Sequence, residues 1–97
     1  GDTQAIMCGN DAMAIGLIDA LRHQRGVSVP GDIAVVGFDD IPMAALKAYD
    51  LTTIRQPVNQ MAKAAVSILL ERIENPDSPP EKRTLAGDFI RGSSARI

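Results

Sequence analysis

The sequence predicts an α/β fold in which a parallel sheet is flanked by helices. Two observations carry this. Ile33-Ala34-Val35-Val36 is a short apolar run without period-two alternation, and it ends abruptly in Gly37-Phe38-Asp39-Asp40. Such a run, rich in β-branched residues, reads as a strand buried on both faces. A second run, Ala5-Ile6-Met7-Cys8, precedes it by the length of one helix. Strand, helix, strand is a unit whose parallel crossover is right-handed in nearly all proteins. Ligands of such sheets bind at the carboxyl ends of the strands. Asn10 and Asp39 would both emerge there and face one crevice.

Each element has its own signal. Gly9-Asn10-Asp11 turns the chain, with Asn10 a good N-cap and Asp11 suited by charge to a first helical turn. The helix runs to about Gln24, with Gly26 as its stop. From Ala12 to Leu21 it is apolar nearly all round, which predicts cover on more than one side. Val29-Pro30-Gly31-Asp32 reads as a β-turn with Pro30 and Gly31 central. Pro42 to Ala48 is a short helix opened by proline. Leu51-Thr52-Thr53-Ile54 is extended. Pro57 opens an amphipathic helix whose apolar positions Val58, Met61, Ala62, Ala65, Val66, Leu69 and Ile73 repeat at helical spacing. Asn75-Pro76 ends it, and Pro76 to Pro80 is an exposed linker. Thr84 to Ile90 is a last extended segment, with Gly87 a possible bulge.

Composition narrows the function. The chain has 97 residues, 45% of them hydrophobic, a net charge of −2 and 3% aromatic residues, so it carries neither a basic nor a stacking footprint for nucleic acid. Cys8 is the single cysteine, which rules out an intrachain disulfide and reads as a small buried core residue. No apolar segment reaches membrane-spanning length and no signal peptide opens the chain. A cytoplasmic setting is expected, with no membrane contact. The start at Gly1, without a Met, suggests a chain cut from something longer. No nucleophile motif, zinc spacing or phosphate-cradling loop is present, so neither an enzyme nor a cofactor is expected. His23 is read as solvent-exposed and the methionines as core filler.

Four stretches taken together resemble the lac-repressor (LacI/GalR) family of bacterial transcription regulators. They are Cys8-Gly9-Asn10-Asp11-Ala12-Met13-Ala14-Ile15-Gly16, Val29-Pro30-Gly31-Asp32-Ile33-Ala34-Val35-Val36-Gly37-Phe38-Asp39-Asp40, Leu51-Thr52-Thr53-Ile54-Arg55-Gln56-Pro57 and Ile90-Arg91-Gly92-Ser93-Ser94. Each is weak alone; their order and spacing are specific. Where the family usually has two prolines before the Leu-Thr-Thr segment, this chain has Tyr49-Asp50.

The resemblance implies a fragment of a type I periplasmic-binding-protein-like domain, two α/β lobes around a ligand cleft. Residues 1–53 would belong to the C-terminal lobe, 54–82 to the N-terminal lobe, and 83–97 would cross back. Ile54, Arg55, Gln56 and Leu85 would lie in the hinge crossings. The family's DNA-binding domain is absent from this chain, so operator DNA would be reached only through that missing part. The effector would be a small molecule, most often a sugar. Asp39 matches the family's ligand-contacting acidic position. An ionised carboxylate can accept two neighbouring hydroxyls, and Asn10 can both donate and accept. The alternative for Asn10 is a helix cap alone; for Asp39 it is a turn residue bonding its own backbone. Asp40 is expected to cap locally, and Asp11 to act through helix-start electrostatics. A homodimer is implied, with Ile15, Ile18 and Leu46 either in the subunit contact or buried within one chain. Two other functions compete: a transport-type sugar-binding protein of the same fold, and a Mg²⁺-dependent phosphoacceptor-like domain using Asp39 and Asp40 as an acidic pair.

Overall fold

In the computed structural model, which describes residues 4–96, the chain forms β1 (Ala5–Met7), α1 (Asp11–Asp19) continued by a wider π-helical turn (Ala20–Gln24), β2 (Ala34–Val36), a 3₁₀ turn (Pro42–Ala45), β3 (Thr53–Arg55), α2 (Val58–Glu74) and β4 (Asp88–Ile90). Residues 1–3 and Ile97, the outer ends of the first and last predicted segments, lie outside the described residues.

β1 and β2 pair in parallel, from Ala5 opposite Ala34 to Met7 opposite Val36. This is the strand–helix–strand unit that the apolar runs predict. β2 is the central strand, and its N–H groups alternate sides as strand geometry requires. Ala34 donates towards β1, to the Gln4 carbonyl at 2.9 Å. Val35, Gly37 and Asp39 donate the other way, to the carbonyls of Ser94, Thr52 and Ile54, each at 2.9 Å. Parallel bridges at Val36–Thr52 and Asp39–Arg55 thus link the first strand pair to the second. In that second pair β3 and β4 run antiparallel, with Thr53 opposite Ile90.

The core lies between β2 and α1, where Cys8, Ala14, Ile18, Val29, Val35, Ala44 and Leu51 form one buried cluster. Val35 and Val36 face opposite sides of the strand and both are buried. On α1 the buried positions are Asp11, Ala14, Ile15 and Ile18, a single i, i+3, i+4, i+7 stripe. The sheet supplies one side of the cover expected for this helix. Ala12, Met13 and Gly16 are exposed, because only the sheet side of α1 is covered by this chain. Gly26, at φ +62°, ends the helical stretch as expected. Behind it the Arg22 guanidinium donates to the Val29 carbonyl at 3.0 Å and to that of Ala48. The Tyr49 hydroxyl donates to the Asp19 carboxylate at 3.2 Å. Tyr49 thus fastens its loop to α1.

Three local expectations change. The turn before β2 closes one residue wider than a β-turn, with Asp32 N–H donating to the Ser28 carbonyl at 3.0 Å. The Asp32 carboxylate accepts from the Ser28 N–H at 2.9 Å and its hydroxyl at 3.1 Å, and these bonds hold its pKa below the ordinary carboxylate range. The short helix after Pro42 is a four-residue 3₁₀ turn. The last strand covers only Asp88–Ile90, while residues 84–87 are irregular and exposed. β3 leads directly into Gln56-Pro57, and proline has no N–H with which to lengthen the ladder.

The terminal segment is locked to β2 by hydroxyl groups. Ser94 Oγ accepts from Thr52 N–H at 2.8 Å and donates to the Val35 carbonyl at 2.6 Å. Thr52 Oγ1 accepts from Gly92 N–H at 3.0 Å and lies 2.8 Å from the Gly92 carbonyl and 2.9 Å from that of Ala95. Ser93 N–H donates to the Asp50 carboxylate at 3.1 Å.

By compactness the chain divides into Gly1–Arg55 with Asp88–Ile97, and Gln56–Gly87. In the second unit α2 has no buried residue. Its predicted apolar stripe is present but uncovered: Val58, Leu69 and Ile73 are 66%, 60% and 65% exposed. Among the described residues no helix is long and apolar enough to cross a membrane.

A Cβ on Gly92 would run into the Asp50 carbonyl oxygen and lie 2.6 Å from the Leu51 carbonyl carbon. Both obstacles are backbone. Gly92→Ala should therefore lower the unfolding free energy, measured by urea denaturation, by about 2 kcal/mol or more; a loss under about 0.5 kcal/mol would mean the tail does not pack this way.

Candidate functional site

The carboxyl ends of β1, β2 and β3 converge at one edge of the first unit. Asp11 N–H donates to the Phe38 carbonyl and Asp39 N–H to that of Ile54, both at 2.9 Å. Asn10 and the Asp39–Asp40 turn therefore leave neighbouring strands at the same edge. Asn10 is the N-cap of α1, and its Oδ1 accepts from Met13 N–H at 2.8 Å. Nearby lies an open hollow of about 290 Å³ lined by Met7, Cys8, Gly9, Gly37, Phe38 and Ile54. Asn10 and Asp39 do not line it.

Asp39 and Asp40 are successive non-glycine residues with positive φ, +122° and +58°. Asp tolerates the left-handed region better than most residues. Each such residue still costs on the order of 1–3 kcal/mol unless its surroundings hold it there. Three contacts hold this turn. Asp39 N–H bonds to Ile54; Arg55 Nε donates to Asp40 Oδ2 at 2.7 Å; Ile41 N–H donates to Asp11 Oδ2 at 2.9 Å. The expected local capping role of Asp40 is thus replaced by an ion pair to β3, and its Oδ2 carries a guanidinium. Among the described residues no three His, Cys, Asp or Glu side chains gather as metal ligands.

Asp11 does more than complement the helix dipole. It is fully buried. Its Oδ1 accepts from Thr53 Oγ1 at 2.6 Å while Oδ2 takes the Ile41 N–H. Gly37 makes room for it, since a Cβ there would collide with Asp11 Oδ1. The signal was available in the sequence: Asp11 falls on the same stripe as Ala14, Ile15 and Ile18.

The remaining predicted residues separate. Ile18 is 0% and Ile15 7% exposed, both against this chain's own structure. For Ile15 and Ile18 this is the alternative of burial within one chain. Leu46 is 54% exposed. Ile54 and Arg55 lie in β3, within the first unit, and Gln56 and Leu85 belong to the second. The chain passes between units at Arg55–Gln56 and again at Gly87–Asp88.

The model of the periplasmic binding protein-like domain matches residues 2–95. The chain belongs to that family. Within it the chain is of the lac-repressor type. The HTH-type transcriptional regulator MalR of Streptomyces coelicolor is 44% identical over 95 residues, 97% of this chain and 27% of that protein. The ribose operon repressor of Escherichia coli is 40% identical over 92 residues, 95% of this chain and 28% of the repressor. A LacI family regulator from Enterococcus faecium, solved with bound ribose, superposes with a TM-score of 0.77 at 32% identity, covering 97% of this chain and 35% of that one. The chain thus spans little more than a quarter of the curated relatives' length. Those relatives are regulators, not enzymes.

Burial pushes the Cys8 thiol up from its ordinary range. A raised folded pKa favours the protonated thiol, so this contribution is complete below the unfolded pKa, about 8.5, and is lost as pH rises through the folded one. The stability gap between the natural protein and Cys8→Ala, measured by urea denaturation, should narrow above about pH 8.5. A gap that stays constant there would place Cys8 in contact with water.

Proposed function

We propose that this chain is part of the effector-sensing domain of a bacterial DNA-binding transcription regulator, and that its effector is a small polyhydroxylated molecule, a sugar first of all. The observation that carries this is the convergence of Asn10 and Asp39 at one sheet edge of a lac-repressor-type domain. The ribose held by the Enterococcus faecium neighbour supports the ligand class. Asp39 accepts from two adjacent hydroxyls, a geometry that a carboxylate offers and a neutral side chain does not. Asn10 spends Oδ1 on its cap, which leaves its amide N–H groups to donate to a ligand oxygen.

The two chain passages give the sensor its output. The second unit, Gln56–Gly87, is the part given to the N-terminal lobe, and the exposed apolar stripe of α2 supports its packing against that lobe. An effector that binds one lobe arrangement better than the other shifts the population between them, by no more than its difference in affinity. Operator DNA is engaged by a separate domain of the full-length protein.

A thermal-shift screen of the full-length protein against pentoses, hexoses, disaccharides and nucleosides tests this. A ligand that binds only the folded state raises the melting temperature, by an amount that grows with its concentration over Kd. One sugar should raise it, and Asp39→Ala should abolish the shift. A shift that survives Asp39→Ala would move the site elsewhere; no shift across the panel would overturn the sugar assignment.

A further inference from the structure

We infer that Arg55 is a positioning residue for effector recognition, acting through Asp40 to hold the turn that carries Asp39. The inference rests on the effector-sensing role of Asp39 proposed above. Asp39, Asp40 and Ile41 are held one after another: by the Ile54 carbonyl at 2.9 Å, by the Arg55 guanidinium at 2.7 Å and by the buried Asp11 carboxylate at 2.9 Å. The first two holds come from consecutive residues of β3. Two adjacent aspartates in left-handed backbone are an arrangement that the local chain does not favour by itself. The two carboxylates also repel each other. A guanidinium on Asp40 offsets that repulsion.

The location of Arg55 gives the contact a second consequence. It ends the first stretch of the first unit, and the chain enters the second unit at Gln56. The same side chain that steadies the effector turn therefore sits at the passage. Any movement of the passage that carries Arg55 away from Asp40 releases the turn, and any ligand that fixes the turn favours the passage as it stands. Arg55 is 59% exposed and Asp40 15%, so the pair is strong enough to bias this turn and weak enough to open.

The test uses the full-length protein carrying Arg55→Met, Arg55→Lys, or Arg55→Met with Asp40→Asn. Amide hydrogen exchange, read residue by residue by NMR without ligand, comes first. In Arg55→Met the protection of the Asp39 and Ile41 amides should fall about 1.5- to fivefold, the range for losing a partly exposed ion pair. The Cys8 amide, bonded to the Val36 carbonyl, should not change. Arg55→Lys should restore most of the protection, and adding Asp40→Asn to Arg55→Met should cost nothing more. Ribose affinity should fall in step with amide protection while the melting temperature holds. Unchanged protection at Asp39 and Ile41 in Arg55→Met would overturn the inference, as would a ribose affinity indifferent to Arg55. Failure of the unmodified protein to bind ribose would rule out ribose as its effector and leave Arg55 untouched, and the exchange measurement, which needs no ligand, would still decide the role of Arg55.

Discussion

The buried carboxylate of Asp11 joins three parts of this domain that the chain brings together from far apart. It stands at the first position of α1, accepts the Thr53 hydroxyl at the start of β3, and accepts the Ile41 N–H just past the Asp39–Asp40 turn. Taking a carboxylate out of water costs several kcal/mol unless its oxygens are satisfied. Here both are. The N-terminal end of α1 adds a favourable field, and Gly37 supplies the space. The arrangement works because every neighbour contributes: an apolar residue at 53 or a displaced turn at 41 would each leave one oxygen of a buried carboxylate without its partner, and a longer residue at 37 would collide with it.

β2 turns that local constraint into a site. Alternate N–H groups along it and just beyond reach Ser94 of the terminal segment, then Thr52 and Ile54 of the β3 segment, closing the side of the strand that faces away from β1. The Thr52 and Ser94 hydroxyls fill the place where β3 has not yet begun. The end of β2 is therefore fixed by both its neighbours, and the strained turn at Asp39 and Asp40 is carried on a rigid support. A group on a rigid support keeps its geometry without help from a ligand.

Much of this was legible in the residues. The two apolar runs gave parallel neighbours, and the Asn10 cap, the Gly26 stop and the extent of α2 followed from local chemistry. The motifs Leu-Thr-Thr and Arg-Gly-Ser-Ser were recognisable as patterns, but their hydroxyl lock joins residues about forty positions apart, and no local periodicity reports such a pairing. For Ile15 and Ile18 the sequence left a subunit and their own chain both open as cover, because apolar periodicity says that a face is covered without saying by what. The wider turn at Ser28–Asp32 depended on a side chain competing with the backbone for its N–H groups. For Asp40, local capping was the natural reading of an acidic residue after a strand; its partner came from β3 instead. The strain at Asp39 and Asp40 had no sequence signature, since aspartate occupies ordinary turns as readily as left-handed ones.

A double-mutant cycle on Asp11→Ala and Thr53→Val, read as unfolding free energy, tests the central role of the Asp11 carboxylate most directly. Removing Asp11 leaves a buried hydroxyl and a buried N–H without partners, so the single change should cost about 3 kcal/mol. The double change should fall short of the sum of the two singles by about 1 kcal/mol or more, because the second removes a group already orphaned by the first. Additivity within about 0.5 kcal/mol, or a cost for Asp11→Ala no larger than that of a surface substitution, would contradict the account.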